Sequence, residues 1–264
     1  MCDRPVAAYG APMTLFPIVA TVALLVLGSP ARAQLTAGEH ACQQATSKQS
    51  GTFVGKKVKC LVACDKQALK GKIAAAECLP PFGGTTLACV ATAETKARDG
   101  IAKRCTLDCP ECYAGGDCAA HAAGLVGDVE AEIDFVAPLV RCDDAASPDG
   151  LTKAEAKARQ KVALVVGKFV ASTEKCLATC RKGVAAGTLP AGSCVYGPEA
   201  EPKTLACLTK VALKALDFVE DPELDVPECL APDLTFALPI ASGLIDDFDP
   251  VIFCASPSGA FVER

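Results

Sequence analysis

Leu35 to Cys64 reads LTAGEHACQQATSKQSGTFVGKKVKCLVAC, and Leu151 to Cys180 reads LTKAEAKARQKVALVVGKFVASTEKCLATC. The two stretches align without a gap at an offset of 116, with 11 of 30 positions identical, among them Leu35/Leu151, Thr36/Thr152, Glu39/Glu155, Gly51/Gly167, Phe53/Phe169, Cys60/Cys176 and Cys64/Cys180. The register continues beyond them. Cys78 falls on Cys194, Thr86-Leu87-Ala88-Cys89 on Thr204-Leu205-Ala206-Cys207, Pro110-Glu111-Cys112 on Pro227-Glu228-Cys229, and Ile133-Asp134 with Pro138 and Cys142 on Ile245-Asp246 with Pro250 and Cys254. Self-similarity of this length predicts one unit written twice, at 34–147 and 151–264. The linker is 148–150, within the turn-forming run Ser147-Pro148-Asp149-Gly150.

Each unit opens on apolar residues at helical spacing: Phe53, Val54, Val58, Leu61 and Val62 in the first, Val162, Val165, Val166, Phe169 and Val170 in the second. Gly71 and Gly183 read as helix stops, and a second helix is expected from near Thr86 and Thr204. Leu125 to Val140 and Leu234 to Ile252 predict a shorter helix plus irregular structure. Period-two alternation is rare, so strands are not expected. The fold class is therefore all-α, a tandem duplication of a disulfide-braced helical-hairpin unit.

Composition explains the bracing. The chain has 264 residues with 17 Cys, no Trp, 3 Tyr and 10 Phe, so large aromatic anchors are few and cystine must supplement a core of Ala, Val and Leu. Residues 1–33 read as an export signal: Arg4 is a weak positive start, Leu15 to Leu27 is nearly all apolar, and Ala31-Arg32-Ala33 offers small residues before Gln34. Met13 is an alternative start to Met1. Cleavage removes Cys2 and leaves 16 cysteines, an even number that predicts disulfides in a secreted or periplasmic protein. It also leaves 24 Lys and Arg against 30 Asp and Glu, which disfavours nucleic acid as a partner, and no membrane association is expected after cleavage. N-terminal sequencing of the natural product should begin at Gln34.

Charge is arranged alike in both copies. Lys48 to Lys72 and Lys153 to Lys182 are strongly basic, whereas Asp108 to Asp149 and Asp217 to Asp249 are strongly acidic. Front and back are expected to fold against each other or to be solvated, with head-to-tail association or docking of a charged ligand as the sharper alternative.

The pairing follows from comparing the copies. Cys42, Cys105, Cys109 and Cys118 have no counterpart in the second unit, and a bridge loses its purpose when one end is missing, so these should pair among themselves. In an antiparallel hairpin Cys42 lies about 27 Å before Cys60 and Cys105 about 24 Å after Cys89, so Cys42–Cys105 and Cys60–Cys89 can be successive rungs. Cys64–Cys78 then closes the turn. Cys109–Cys118 and Cys112–Cys142 complete the first unit; Cys176–Cys207, Cys180–Cys194 and Cys229–Cys254 form the second. No bridge is expected between the units.

Other constellations carry less. Cys105, Cys109, Cys112 and Cys118 have spacings that suit zinc or redox work in a reducing compartment, but export turns them toward structural cystine. Asp246, Asp247 and Asp249, like Asp143-Asp144, lack the glycine and terminal glutamate of a calcium loop and read as an acidic solvated face. His40 and His121 are the two histidines, with no acid–nucleophile pattern near either, and no Gly-x-Ser-x-Gly or phosphate loop occurs. No catalytic, cofactor-binding or metal-ligating residue is assigned, and no cofactor is expected.

Gly55-Lys56-Lys57 ahead of Leu61-Val62-Ala63-Cys64, with Lys66 and Lys70 following, resembles secreted Cys-rich helical proteins of environmental Gram-negative bacteria over about 65 residues. The Cys-x-x-x-Cys helix is also similar to plant α-hairpinins, which carry a second such pair where this chain has Cys78 and Cys89. Neither resemblance implies an activity. The sequence leads to a secreted or periplasmic, non-enzymatic binding or structural protein whose partner is a protein or cell-surface polymer. The alternatives are a hydrolase or enzyme inhibitor with a site no motif marks, and a metal-binding protein using Cys105–Cys118.

Overall fold

A computed structural model describes residues 35–141, 151–190, 192–194, 200–221, 223–227, 230 and 234–255. Every regular element among them is helical: α1 (Ala37–Ala68), a short 3-10 turn (Ala75–Cys78), α2 (Gly84–Cys105), α3 (Cys118–Arg141), α4 (Lys153–Ala185), α5 (Pro202–Val219) and α6 (Leu234–Ile252). The export segment 1–33, the linker 148–150 and Asp143-Asp144 lie outside the described residues. No described helix is long and apolar enough to cross a membrane.

The two long helices start in the same way. Thr36 Oγ1 accepts from the Glu39 N–H at 3.1 Å while the Glu39 carboxylate accepts from the Thr36 N–H at 2.7 Å. Thr152 and Glu155 repeat this at 3.2 and 2.7 Å. Each box satisfies two otherwise orphaned groups and is worth about 1 kcal/mol. The exits need left-handed backbone: Gly71 has φ +63° and Gly187 has φ +68°. Gly187, not Gly183, thus follows the end of α4. Gly183 is inside the helix, where a β-carbon would lie 2.7 Å from Leu189 Cδ1, so the following loop folds back over a position that must stay bare.

α1 and α4 pack antiparallel at the centre. A β-carbon on Gly51 would lie 3.5 Å from Ala171 Cα, and one on Gly167 would lie 3.0 Å from Val58 Cγ2, so these glycines let the two backbones approach. α2 lies along α1 and α5 along α4, while α3 and α6 pack on each other and on the central pair. One hydrophobic cluster runs through both halves, with Phe53 and Leu61 of α1, Ile101 of α2, Leu125 of α3, Phe169 of α4 and Ile245 of α6.

The bridges follow the helices. Cys42–Cys105 and Cys60–Cys89 are rungs between α1 and α2, and Cys64–Cys78 closes their turn. Cys176–Cys207 ties α4 to α5, Cys180–Cys194 closes the loop after α4, and Cys109–Cys118 ties down the start of α3.

The expected Cys112–Cys142 and Cys229–Cys254 are both corrected, because Cys112 is bonded to Cys254. This bridge joins the two halves of the chain, which the sequence reading did not expect. α6 packs on α3, so its C-terminal end arrives beside the loop that precedes α3. In the same place the buried Tyr113 hydroxyl donates to the Ile252 carbonyl and Gln43 Nε2 donates to the Ala255 carbonyl at 3.3 Å. Cys142 and Cys229 lie outside the described residues.

α3 and α6 also exceed the short helices expected. α3 begins at Cys118, where the Asp117 carboxylate accepts from the Ala119 and Ala120 N–H groups at 3.0 and 2.9 Å, and it continues through Pro138. α6 continues through Pro239 and Pro250. These prolines hide the helical period in the sequence; packing on the central pair maintains the helices.

Candidate functional site

The opposed basic and acidic segments of the chain meet in the interior. Lys57 of α1 is fully buried, with Nζ 2.9 Å from Glu130 Oε1 and 2.7 Å from Asp134 Oδ1 on α3, and 5.3 Å from the centre of the Phe82 ring. Burial raises the Asp134 pKa, while the Lys57 ammonium pulls it down. Arg181 of α4 pairs with Asp249 of α6 and lies 5.6 Å from the Phe253 ring centre. Arg159 of α4 approaches Asp65 of α1 at 3.8 Å. Asp249 was expected on a solvated face; instead it is 8% exposed, because α6 turns it toward α4, whereas Asp247 of the same run is exposed.

Between α1, α3, α4 and α6 lies a partly open cavity of about 70 Å³. Its walls are almost wholly apolar, from Val54, Val58 and Leu61 on α1, Ile133 on α3, Val166 on α4 and Ile245 on α6. The lining runs along α1 from Ser50 to Asp65, roughly 22 Å at 1.5 Å per residue. A volume holding only about five water-sized spheres, spread over that length, is a slender space.

Its polar groups, Ser50, Glu174 and Asp65, lie toward the ends. Glu174 Oε2 accepts from Ser47 Oγ at 3.1 Å. Burial, reinforced by the Asp249 carboxylate, pushes the Glu174 carboxyl up to about 8 against the pull of that hydrogen bond. Ser50 is 4% exposed, and its hydroxyl has no hydrogen-bond partner among the described residues. The sequence reading missed both residues. The signal was the i+4 spacing of Ser50, Val54 and Val58, and of Val166, Val170 and Glu174, which places each polar residue on its helix's apolar stripe.

A pH dependence follows. Below about pH 4.5 Glu174 is protonated in folded and unfolded chains alike, and between there and about 8 only the unfolded chain releases the proton. Stability therefore declines over that window, at up to about 1.4 kcal/mol per pH unit from this group. Glu174→Gln should be more stable than the parent at pH 8 and nearly equal to it at pH 4. Urea denaturation at both values checks this; the same stability difference at both would refute it.

The other candidate residues are structural in this fold. Cys105 is bonded to Cys42, Cys109 to Cys118 and Cys112 to Cys254, so the cluster offers cystine sulfurs where a metal needs thiolates. The sulfurs of Cys42, Cys105 and Cys118 lie within 4.8 Å of one another because the two bridges stack, not because they share an ion. Cys109 and Cys112 belong to different bridges and form no redox pair. His121 stacks on the Tyr113 ring with centroids 3.6 Å apart, and burial lowers it to about 4; burial also lowers His40. On the outside, Lys66 and Lys70 at the end of α1 and Lys153, Lys157 and Lys161 at the start of α4 border one groove, which joins the two basic stretches of the sequence.

No protein-family model, curated protein or solved structure matches this chain.

Proposed function

We propose that the chain is an exported, non-enzymatic binding protein, derived by duplication of one cystine-braced helical hairpin, that holds a slender apolar molecule between α1, α3, α4 and α6. The observation that carries this is the partly open cavity, whose walls are apolar along most of their length while polar groups lie toward its ends. Apolar pockets with few, convergent polar groups are where proteins take up small ligands. The duplication is supported by the paired capping boxes, by the positive-φ Gly71 and Gly187, and by Gly51 and Gly167 at the α1/α4 contact, each pair separated by the same offset of 116. Export is supported by the cystine content, which suits an oxidising compartment.

Filling the space tests the reading. The parent should bind xenon, followed by the chemical shift of 129Xe, and Ala163→Leu or Ala137→Leu, each on a cavity wall, should weaken binding at least tenfold with helicity unchanged by circular dichroism. Undiminished binding in both variants would place the probe elsewhere and defeat the proposal.

A second reading, an anionic cell-surface polymer or acidic protein segment as partner, rests on the five-lysine groove. Retention on sulfated dextran should fall steeply with salt and in Lys66→Gln/Lys153→Gln/Lys157→Gln. Equal retention of parent and variant would dismiss it.

A further inference from the structure

Two exposed patches of opposite charge stand side by side. The first is the lysine groove between the end of α1 and the start of α4, an open trough of about 780 Å³ whose lining also includes Leu69, Leu151 and Leu164. The second is the end of α5 and the chain that follows it: Asp217, Glu220, Asp221, Glu223 and Asp225 are all exposed, and no cation occurs from Ala215 to Pro227. Among the described residues, neither the five lysines nor these five acids take part in an ion pair; the ion pairs there belong to Lys57, Arg98, Arg159 and Arg181. Glu155, the acid in the first turn of α4, is committed to the Thr152 N–H.

Hairpin geometry sets the two patches level. α5 runs back along α4 from the Cys176–Cys207 rung. Val219 ends α5 12 residues after Cys207 and Lys161 stands 15 residues before Cys176, so they lie about 18 and 22 Å from the rung in the same direction. The acidic tip and the basic groove therefore share one end of the molecule.

We infer that this end is the contact face of a twofold dimer, in which the acidic tip of each copy meets the lysine groove of the other. This rests on the lysine-groove reading above and names its partner, a second copy of this chain. A twofold axis brings the same surface of both copies together, so a patch of one sign would meet itself and repel. A face that carries both signs side by side meets its complement twice. Had the two signs stood at opposite ends, the same attraction would build open chains; on one face it closes at two copies. The tip also argues against a polyanion in the groove, since five acids beside the entrance would repel it. Leu213 and Leu216 on α5 are 53% and 39% exposed and Leu164 on α4 is 37% exposed, so apolar area accompanies the charges. The charges set the register and speed the encounter.

Sedimentation velocity of the disulfide-intact protein over a range of concentrations tests this. In low salt the parent should pass from monomer to dimer and stop there, and the dimer should weaken at least tenfold in about 1 M sodium chloride, where the screening length is about 3 Å. Lys153→Glu/Lys157→Glu and Asp221→Lys/Glu223→Lys should each weaken self-association at least tenfold, and an equimolar mixture of the two should restore the dimer, which misfolded variants could not do. Lys103→Glu/Arg104→Glu makes the same charge change at the end of α2, where Cys105 is held to the start of α1, and should leave the parent's dimer unaltered. A parent that stays monomeric would overturn the dimer, while its salt-dependent retention on sulfated dextran would leave the groove reading standing; loss of both would overturn both. Growth beyond two copies would overturn the twofold arrangement. A mixture that stays monomeric, a dimer indifferent to salt, or an equal loss in the α2 control would overturn the pairing of tip with groove.

Discussion

Replacing Cys112 and Cys254 together by serine is expected to lower the unfolding free energy by about 4 kcal/mol. The bridge spans 142 residues, and in the chain-entropy treatment a loop that long restricts the unfolded chain by about 5 kcal/mol. Cys176–Cys207 lies within the loop and shortens its effective length, but the dependence is logarithmic and the reduction is small. Residual structure in the unfolded chain takes away somewhat more. The end of α6 should loosen as well, since the Tyr113–Ile252 and Gln43–Ala255 hydrogen bonds depend on its position. Urea unfolding of the oxidised protein measures the loss. The matched control is Cys180→Ser/Cys194→Ser, whose bridge spans only 14 residues and should cost about 3 kcal/mol. A smaller loss for Cys112/Cys254 than for the control would show that loop length does not govern this bridge. A non-reducing peptide map should link Cys112 to Cys254, and a Cys112–Cys142 peptide would refute the connectivity itself.

Lys57→Met should cost about 3 kcal/mol, which for a chain of this size lowers Tm by roughly 6–12 °C. Lys57 is buried and holds the carboxylates of Glu130 and Asp134 at 2.9 and 2.7 Å. Methionine matches the stem and keeps the packing against Phe82, so the loss isolates the charge. What remains is two acids within one helical turn of α3, partly shielded from water and without their cation. Their side chains retain 23% and 21% exposure, which places the cost at the lower end of the range for breaking a buried pair. The triple variant Lys57→Met/Glu130→Gln/Asp134→Asn should recover most of the loss, because the repulsion and the unpaired charge vanish together. Failure to recover would mean that the loss does not come from the unpaired acids. Thermal melts of the parent and both variants decide between these outcomes.

The hairpin rungs were legible because they depend on local geometry. A helix rises 1.5 Å per residue, so two cysteines at matched distances from a turn meet whatever surrounds them; Cys42–Cys105 and Cys176–Cys207 are of this kind. The partner of Cys112 was not legible, because it depends on where α6 ends relative to the loop before α3, and no local period encodes that. Gly183 shows a subtler limit. Both Gly183 and Gly187 suit a helix stop by residue type, yet Gly187 stands 116 residues from Gly71, the offset at which Leu35–Cys64 aligns with Leu151–Cys180, and its positive φ marks it as the stop.

Asp249 and Glu174 mark the same limit in the candidate site. In sequence one belongs to an acidic run and the other to a basic stretch, and both look like surface. The cavity was likewise outside what periodicity can convey, since a void is a property of four helices failing to fill the space between them.

The sequence by itself determined the helical class, the rungs of both hairpins and the opposition of basic and acidic segments, because each follows from interactions a few residues apart or from a regular rise along a helix. Tertiary structure alone decided that Lys57 and Arg181 find their acids in the interior, that Cys112 reaches Cys254, and that Ser50 and Glu174 line one cavity. Those contacts bring together residues tens to more than a hundred positions apart, and their partners are chosen by how the faces of α1, α3, α4 and α6 pack, which no single segment contains.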